Sequence, residues 1–277
     1  MTARRRIRIG CMFTYVAEIP TPAVFMVRPA ASVAIAIDGD SWLTDPPGGP
    51  VHSYADLYGN ECARTVLPGG RSRFGFSAIA DVPDATEDAD PDVPEVPPQA
   101  LPDDTLIYTL PSRYCLPDLL ADEAWDRFGG LAPGYRRVRA ICDHVHGHLT
   151  FQYGSTSATS TAADVNAARL GVCRDFAHLA ISFCRALNIP ARYTFGYLPD
   201  LDGPPDPAPM DFAAWVEVWL GDRWWTFDPR NNTRRKGRIV IGRGRDAADV
   251  AVATTFGGPL LEAMTVDAAE ILTGQHP

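Results

Sequence analysis

Leu170-Gly171-Val172-Cys173-Arg174-Asp175-Phe176-Ala177-His178-Leu179 is the stretch on which the reading of this chain turns. A glycine break is followed by an apolar stripe of Phe176, Leu179, Ala180, Phe183 and Leu187. Spacings of three and four predict an amphipathic helix from Cys173 to Asn188, stopped by Ile189-Pro190. Cys173 therefore heads the helix. The free N–H groups there carry partial positive charge, which favours thiolate over thiol. The same amides could form part of an oxyanion hole. On local grounds alone Cys173 is either a reactive thiol or a small buried apolar residue. His178, five positions on and about 140° round the helix, does not easily reach the sulfur.

Downstream, residues 211–229 read as a hairpin that ends in Asp228-Pro229. With Gly221-Asp222 as the turn, Leu220 faces Arg223, and position 213 faces Arg230 and lies diagonal to Asp228. Diagonal side chains on one face of a sheet can touch, so position 213 and Asp228 are neighbours in this reading.

Four blocks then resemble the bacterial transglutaminase-like superfamily: Gly171-Val-Cys173-Arg-Asp175-Phe-Ala-His178, Ile189-Pro-Ala-Arg192-Tyr, Ala214-Trp215-Val-Glu-Val, and Trp225-Thr-Phe-Asp228-Pro. Tyr58-Gly59-Asn60 and Gly244-Arg-Asp246-Ala-Ala-Asp249-Val resemble the family's flanking regions, so the likeness covers most of the chain. It implies an α+β fold: a papain-like transglutaminase core preceded by a small β-sandwich-like domain. It implies a Cys-His-Asp triad with Cys173 as nucleophile and Asp228 as the orienting acid, acting on a peptide, amide or acyl-thioester substrate, with no cofactor.

The histidine should stand at position 213, where this chain has Ala213. Histidine would deprotonate the thiol and protonate the leaving amine, help worth about 10²–10⁴ in rate. Three readings stay open. Another base could come from Cys142-Asp-His144-Val-His146-Gly-His148. The substrate could be a thioester or activated ester, whose leaving group needs no proton. Or the protein could be a catalytically silent binder of a peptide or acyl group.

Working outward, Val138, Ile141, Val145 and Leu149 predict a helix over residues 133–149. Thr161-Ala-Ala-Asp164 is a capping-box start for a short helix that Gly171 could end. Strands are expected at 191–197, 212–220, 224–227 and 238–241. Before them, residues 81–104 concentrate proline and acid and read as a linker. Earlier still, 7–15, 23–27, 33–37, 64–67 and 74–80 are short strand-like runs separated by turn residues. The expected division is a β-domain over 1–82, a linker over 83–105 and the core over 106–277.

Composition bounds the rest. The 277 residues are 46% hydrophobic and 21% charged with net charge −9, which excludes a disordered chain and speaks against a nucleic-acid partner. No apolar run is long enough for a membrane span. The basic start Arg4-Arg5-Arg6 is followed by a run broken by Glu18, Pro20 and Pro22, unlike a secretory signal, so a cytoplasmic protein is the default. None of Cys11, Cys62, Cys115, Cys142, Cys173 and Cys184 forms a CxxC pair. His144 and His148 have metal-ligand spacing, but no further Cys/His pair accompanies them, so no metal is expected. Tyr153 could donate to an oxyanion and Trp215 could wall a substrate cleft; each could equally be a packing aromatic. The basic run from Arg230 to Arg245 suits an anionic partner or a charge-guarded strand edge. Nothing in the sequence specifies an oligomeric state.

Overall fold

The structure is a computed structural model that describes residues 3–32, 34–47, 49–203 and 208–272. Its N-terminal part supplies three strands to each of two four-stranded antiparallel sheets. One is built from β1 (Arg4–Ala17), β3 (Ala36–Asp45) and β6 (Gly70–Pro83), the other from β2 (Thr21–Phe25), β4 (His52–Ala55) and β5 (Glu61–Leu67). Alternation along β1 sends Ile7, Ile9, Cys11, Phe13 and Tyr15 inward. The two sheets meet where Phe25 of β2 stacks on Phe74 of β6 at 4.1 Å and tilts against Phe13 of β1 at 5.2 Å.

The part that follows carries four α-helices among the described residues: α1 (Ala121–Phe128), α2 (Tyr135–His148), α3 (Ala162–Ala168) and α4 (Cys173–Ala186). Two-residue strands β7 (Thr150–Phe151) and β8 (Leu170–Gly171) pair in parallel just before α4. Helix α4 packs on a sheet ordered β11-β10-β9-β12, made of β9 (Ala191–Tyr197), β10 (Ala213–Leu220), β11 (Arg223–Phe227) and β12 (Ile239–Gly244). The hairpin register is the expected one, with Leu220 opposite Arg223 and Gly221 in the left-handed region at φ 62°. The α+β class holds, as does the pairing of a sandwich-like β-layer with a helix-on-sheet core.

Several expectations need correction. The last strands, β13 (Ala253–Thr255) and β14 (Leu260–Glu270), do not lie in the core sheet. They pair with β2 and β1. A 14-residue β1 would otherwise leave a long open edge, and the returning chain covers it. The 106–277 segment is thus split between the two sheet systems.

The acidic stretch is not a free linker. Glu87 takes Arg238 and the Arg235 amide, Glu95 takes Arg137, and Asp84 takes Lys236, so the prolines and acids strap the segment across the surface. Helix α3 has the Thr161–Asp164 capping box but ends at Arg169 in the left-handed region, while Gly171 sits in β8. The expected 33–37 strand begins only at Ala36 and runs to Asp45, and position 33 lies outside the described residues. Helix α1 and strand β4 carry too few buried residues to show a period.

Candidate functional site

Helix α4 begins at Cys173 because of Asp175. Its fully buried carboxylate accepts the Val172 amide at 2.9 Å and the Thr156 hydroxyl at 2.6 Å, and it is clamped by the Arg174 guanidinium. This is half of a capping box; valine at the cap has no acceptor to return. The clamp fixes the first turn and with it the sulfur.

The sulfur docks against the edge of β10. Strand β11 ends at Phe227, so β10 has no partner on that side before Val216. There the Cys173 thiol donates to the Phe212 carbonyl at 3.8 Å, and the amides of Ala214 and Arg174 are directed at it. Burial pushes the thiol up to about 11, against the opposing pull of the Arg230 guanidinium and those two amides. At rest it is a protonated thiol, not a thiolate.

Cys173 is the one cysteine of the six that is not fully buried. It opens into a cavity of about 250 Å³ whose wall includes Phe151, Tyr153, Asp211, Ala213, Arg230 and Asn231. Tyr153 is exposed and stands in that wall. Trp215 does not. It is buried with Arg238 stacked over its ring at 4.8 Å, and it borders a different crevice between the end of β6 and the acidic strap. The reason is the Arg238 side chain, which covers the ring and fills the space a cleft would need.

Asp228 is buried but not idle. Its oxygens accept the Asn231 amide at 2.8 Å, the Asn231 side chain at 2.7 Å and the Arg238 guanidinium at 2.7 Å. No hydrogen bond joins it to Cys173 among the described residues. Arg238 also pairs with Glu87, so the carboxylate that would orient a histidine is neutralised by a structural arginine.

Among the described residues no histidine takes over. His144 is wedged against Phe128 and Phe183, with Nε2 unpartnered among the described residues. The ring of His146 donates from Nδ1 to the Arg230 carbonyl at 2.8 Å, and His148 contacts the Asn166 carbonyl at 2.9 Å. His178 accepts the Ala247 amide at 3.1 Å, and burial lowers it to about 3, so it is a neutral core ring. Among the described residues no group of three or more His, Cys, Asp or Glu could hold a metal, and no helix is long and apolar enough to cross a membrane.

Two residues of the cavity wall were not singled out by sequence as parts of a site. Asp211, whose carboxyl burial pushes up, accepts its neighbour Phe212's amide at 2.7 Å. Arg230 was named only as the first residue of a basic run, with nothing in the sequence to set it apart from the others.

The sequence profile of the transglutaminase-like superfamily matches residues 124–229. The crystal structure of a candidate cysteine protease from Cytophaga hutchinsonii superposes with a TM-score of 0.86 at 33% identity, covering 100% of this chain and 94% of that one. An uncharacterized protein of Mycobacterium tuberculosis is 38% identical over 123 residues, which is 41% of this chain and 39% of the relative. One from Mycobacterium leprae is 39% identical over 119 residues, 42% of each. The chain therefore spans about two fifths of the length of these curated relatives.

Proposed function

The chain belongs to the transglutaminase-like superfamily, a family of cysteine-dependent enzymes, and from that premise we propose that Cys173 is the nucleophile of an acyl-transfer site confined to activated acyl donors. The observation that carries this reading is a thiol open to a cavity and approached by two backbone amides, with no histidine beside it among the described residues. Sγ loses its proton to solvent and attacks the donor carbonyl. An S–C bond forms, and the bond to the leaving group breaks. The amides at the start of α4 stabilise the developing oxyanion. A thiolate leaving group departs without protonation, whereas an amine requires the acid that Ala213 cannot supply.

Asp228 in this reading keeps its place in the family pattern but serves the fold through Arg238. Tyr153 lines the acyl or peptide path. The substrate class is a thioester or activated ester, with peptide and amide cleavage disfavoured. The six unpaired cysteines suit a reducing, cytoplasmic compartment.

A second reading, a silent peptide- or acyl-binding protein, draws on the raised thiol. Incubation with an aryl thioester and, separately, a peptide anilide at pH 9, followed by intact-mass analysis, separates the two. Acylation of Cys173 by the thioester, lost in Cys173→Ala, with the anilide left intact, supports transfer. No adduct from any donor leaves the binding reading standing, and anilide turnover at neutral pH would mean that a base has been overlooked.

A further inference from the structure

The basic run that follows the hairpin is almost wholly consumed by the fold. Arg235 pairs with Asp200, Lys236 with Asp84 and Asp202, Arg238 with Glu87 and Asp228, Arg243 with Glu217, and Arg245 with Asp249. Arg234 donates to the Glu87 carbonyl at 2.9 Å. Arg230 is the exception: among the described residues its guanidinium has neither a hydrogen bond nor an ion pair. It lies over the Phe151 ring at 4.1 Å, in the wall of the cavity that holds Cys173, and close enough to act electrostatically on the thiol. Its backbone is pinned by His146 through the carbonyl at 2.8 Å, so the side chain is held over the cavity while its donors stay open.

Neither carboxylate in the same wall forms an ion pair with it among the described residues. Asp200 is paired with Arg235, and Asp211, which feels the Arg230 charge at longer range, accepts the Phe212 amide hydrogen. A stacked, unpaired guanidinium is a fork that fits a carboxylate with two parallel hydrogen bonds. A cavity of about 250 Å³ suits a short chain, not a drug-sized ligand.

Building on the acyl-transfer reading, we propose that Arg230 selects acyl donors bearing a carboxylate a few bonds from the reacting carbonyl and holds that carbonyl over Cys173. The acyl group in question is a dicarboxylate half-ester or half-thioester, and the Phe151 face supports the guanidinium that binds its free end.

The test uses the whole protein and two alkylating agents that differ in charge, iodoacetate and iodoacetamide, with glutathione as reference thiol. The iodoacetate-to-iodoacetamide rate ratio at Cys173 should exceed that of glutathione by about tenfold at low salt, the advantage expected of one charge-assisted fork. Arg230→Gln should bring the ratio down to that of glutathione, and Arg230→Lys should keep part of it. A wild-type ratio no higher than that of glutathione overturns the proposal whether or not the variants fold, as does a high ratio that survives Arg230→Gln. Succinyl and butyryl aryl thioesters then distinguish the two layers. Equal acylation by both sinks the selectivity and leaves acyl transfer standing. Acylation by neither sinks acyl transfer, while the alkylation ratio still decides whether Arg230 reads anions.

Discussion

Replacing Ala213 with histidine should convert a dormant thiol into a reactive one, and the size of the gain follows from the site. The sulfur touches the carbonyl of residue 212 and is approached by the amide of residue 214, so a side chain at 213 starts beside it, in the wall of the same cavity. With the thiol held up at about 11, the thiolate is about 10⁻⁴ of the molecules at pH 7. An imidazolium in contact that brings the thiol to about 7 raises that fraction to roughly one half, a gain of about 5,000-fold. The weaker intrinsic nucleophilicity of a less basic thiolate takes back about 60-fold over four pH units. The net expectation at pH 7 is a rise of roughly 80-fold in the iodoacetamide rate at Cys173. Peptide hydrolysis should lag behind, because Arg238 still occupies the Asp228 carboxylate that would orient the new ring. The assay is the pH profile of alkylation followed by mass spectrometry. A variant rate within about threefold of wild type, or a wild-type profile with its midpoint below the ordinary thiol range of about 8.5, would refute the reasoning.

Other perturbations test the supports of the site. Arg238→Gln leaves the buried Asp228 and the half-buried Glu87 without their counter-charge and should cost about 3 kcal/mol in denaturant unfolding; a loss under 1 kcal/mol would show the pair to be dispensable. Asp175→Ala removes the acceptor of the Val172 amide and the Thr156 hydroxyl, with an expected cost of about 2–3 kcal/mol and a change in the Cys173 alkylation rate; an unaltered rate would mean the clamp does not set the sulfur. His178 is lowered by burial to about 3, so the unfolded chain takes up a proton below pH 6.5 that the fold refuses. Stability should be level above pH 6.5 and fall by about 1.4 kcal/mol per pH unit below it from this group, a slope that His178→Gln should remove. Deleting residues 260–272 should expose the outer edge of β1 and make the N-terminal sheets sensitive to protease before the helical half; equal resistance of both halves would contradict the role given to β14.

Much of the core was legible because its signals are local. The stripe from Phe176 to Leu187 specifies one helix by period, and α4 spans Cys173–Ala186. The Gly221-Asp222 turn sets a register that the β10–β11 ladder follows. The capping box at Thr161 is two side chains three residues apart. What escaped is non-local or weakly patterned. Strand β3 is exposed along most of its length, so no buried face marks it, and β14 is recognisable as an edge cover only once β1 is seen to need one. The acidic strap looks like a linker because ion-pair partners more than 100 residues away are invisible in composition.

By itself the sequence determined the cysteine at a helix start, the hairpin, the family likeness and the absence of histidine at position 213, since all of these are matters of residue type and short spacing. Only the tertiary structure decided that Asp228 is held by Arg238, that Trp215 lies under Arg238 and outside the wall of the thiol's cavity, and that Arg230, alone in its basic run among the described residues, remains unpaired in that wall. Charge pairing and burial depend on which segments meet in space, and they set how far the thiol is raised and which cation is left over for a ligand.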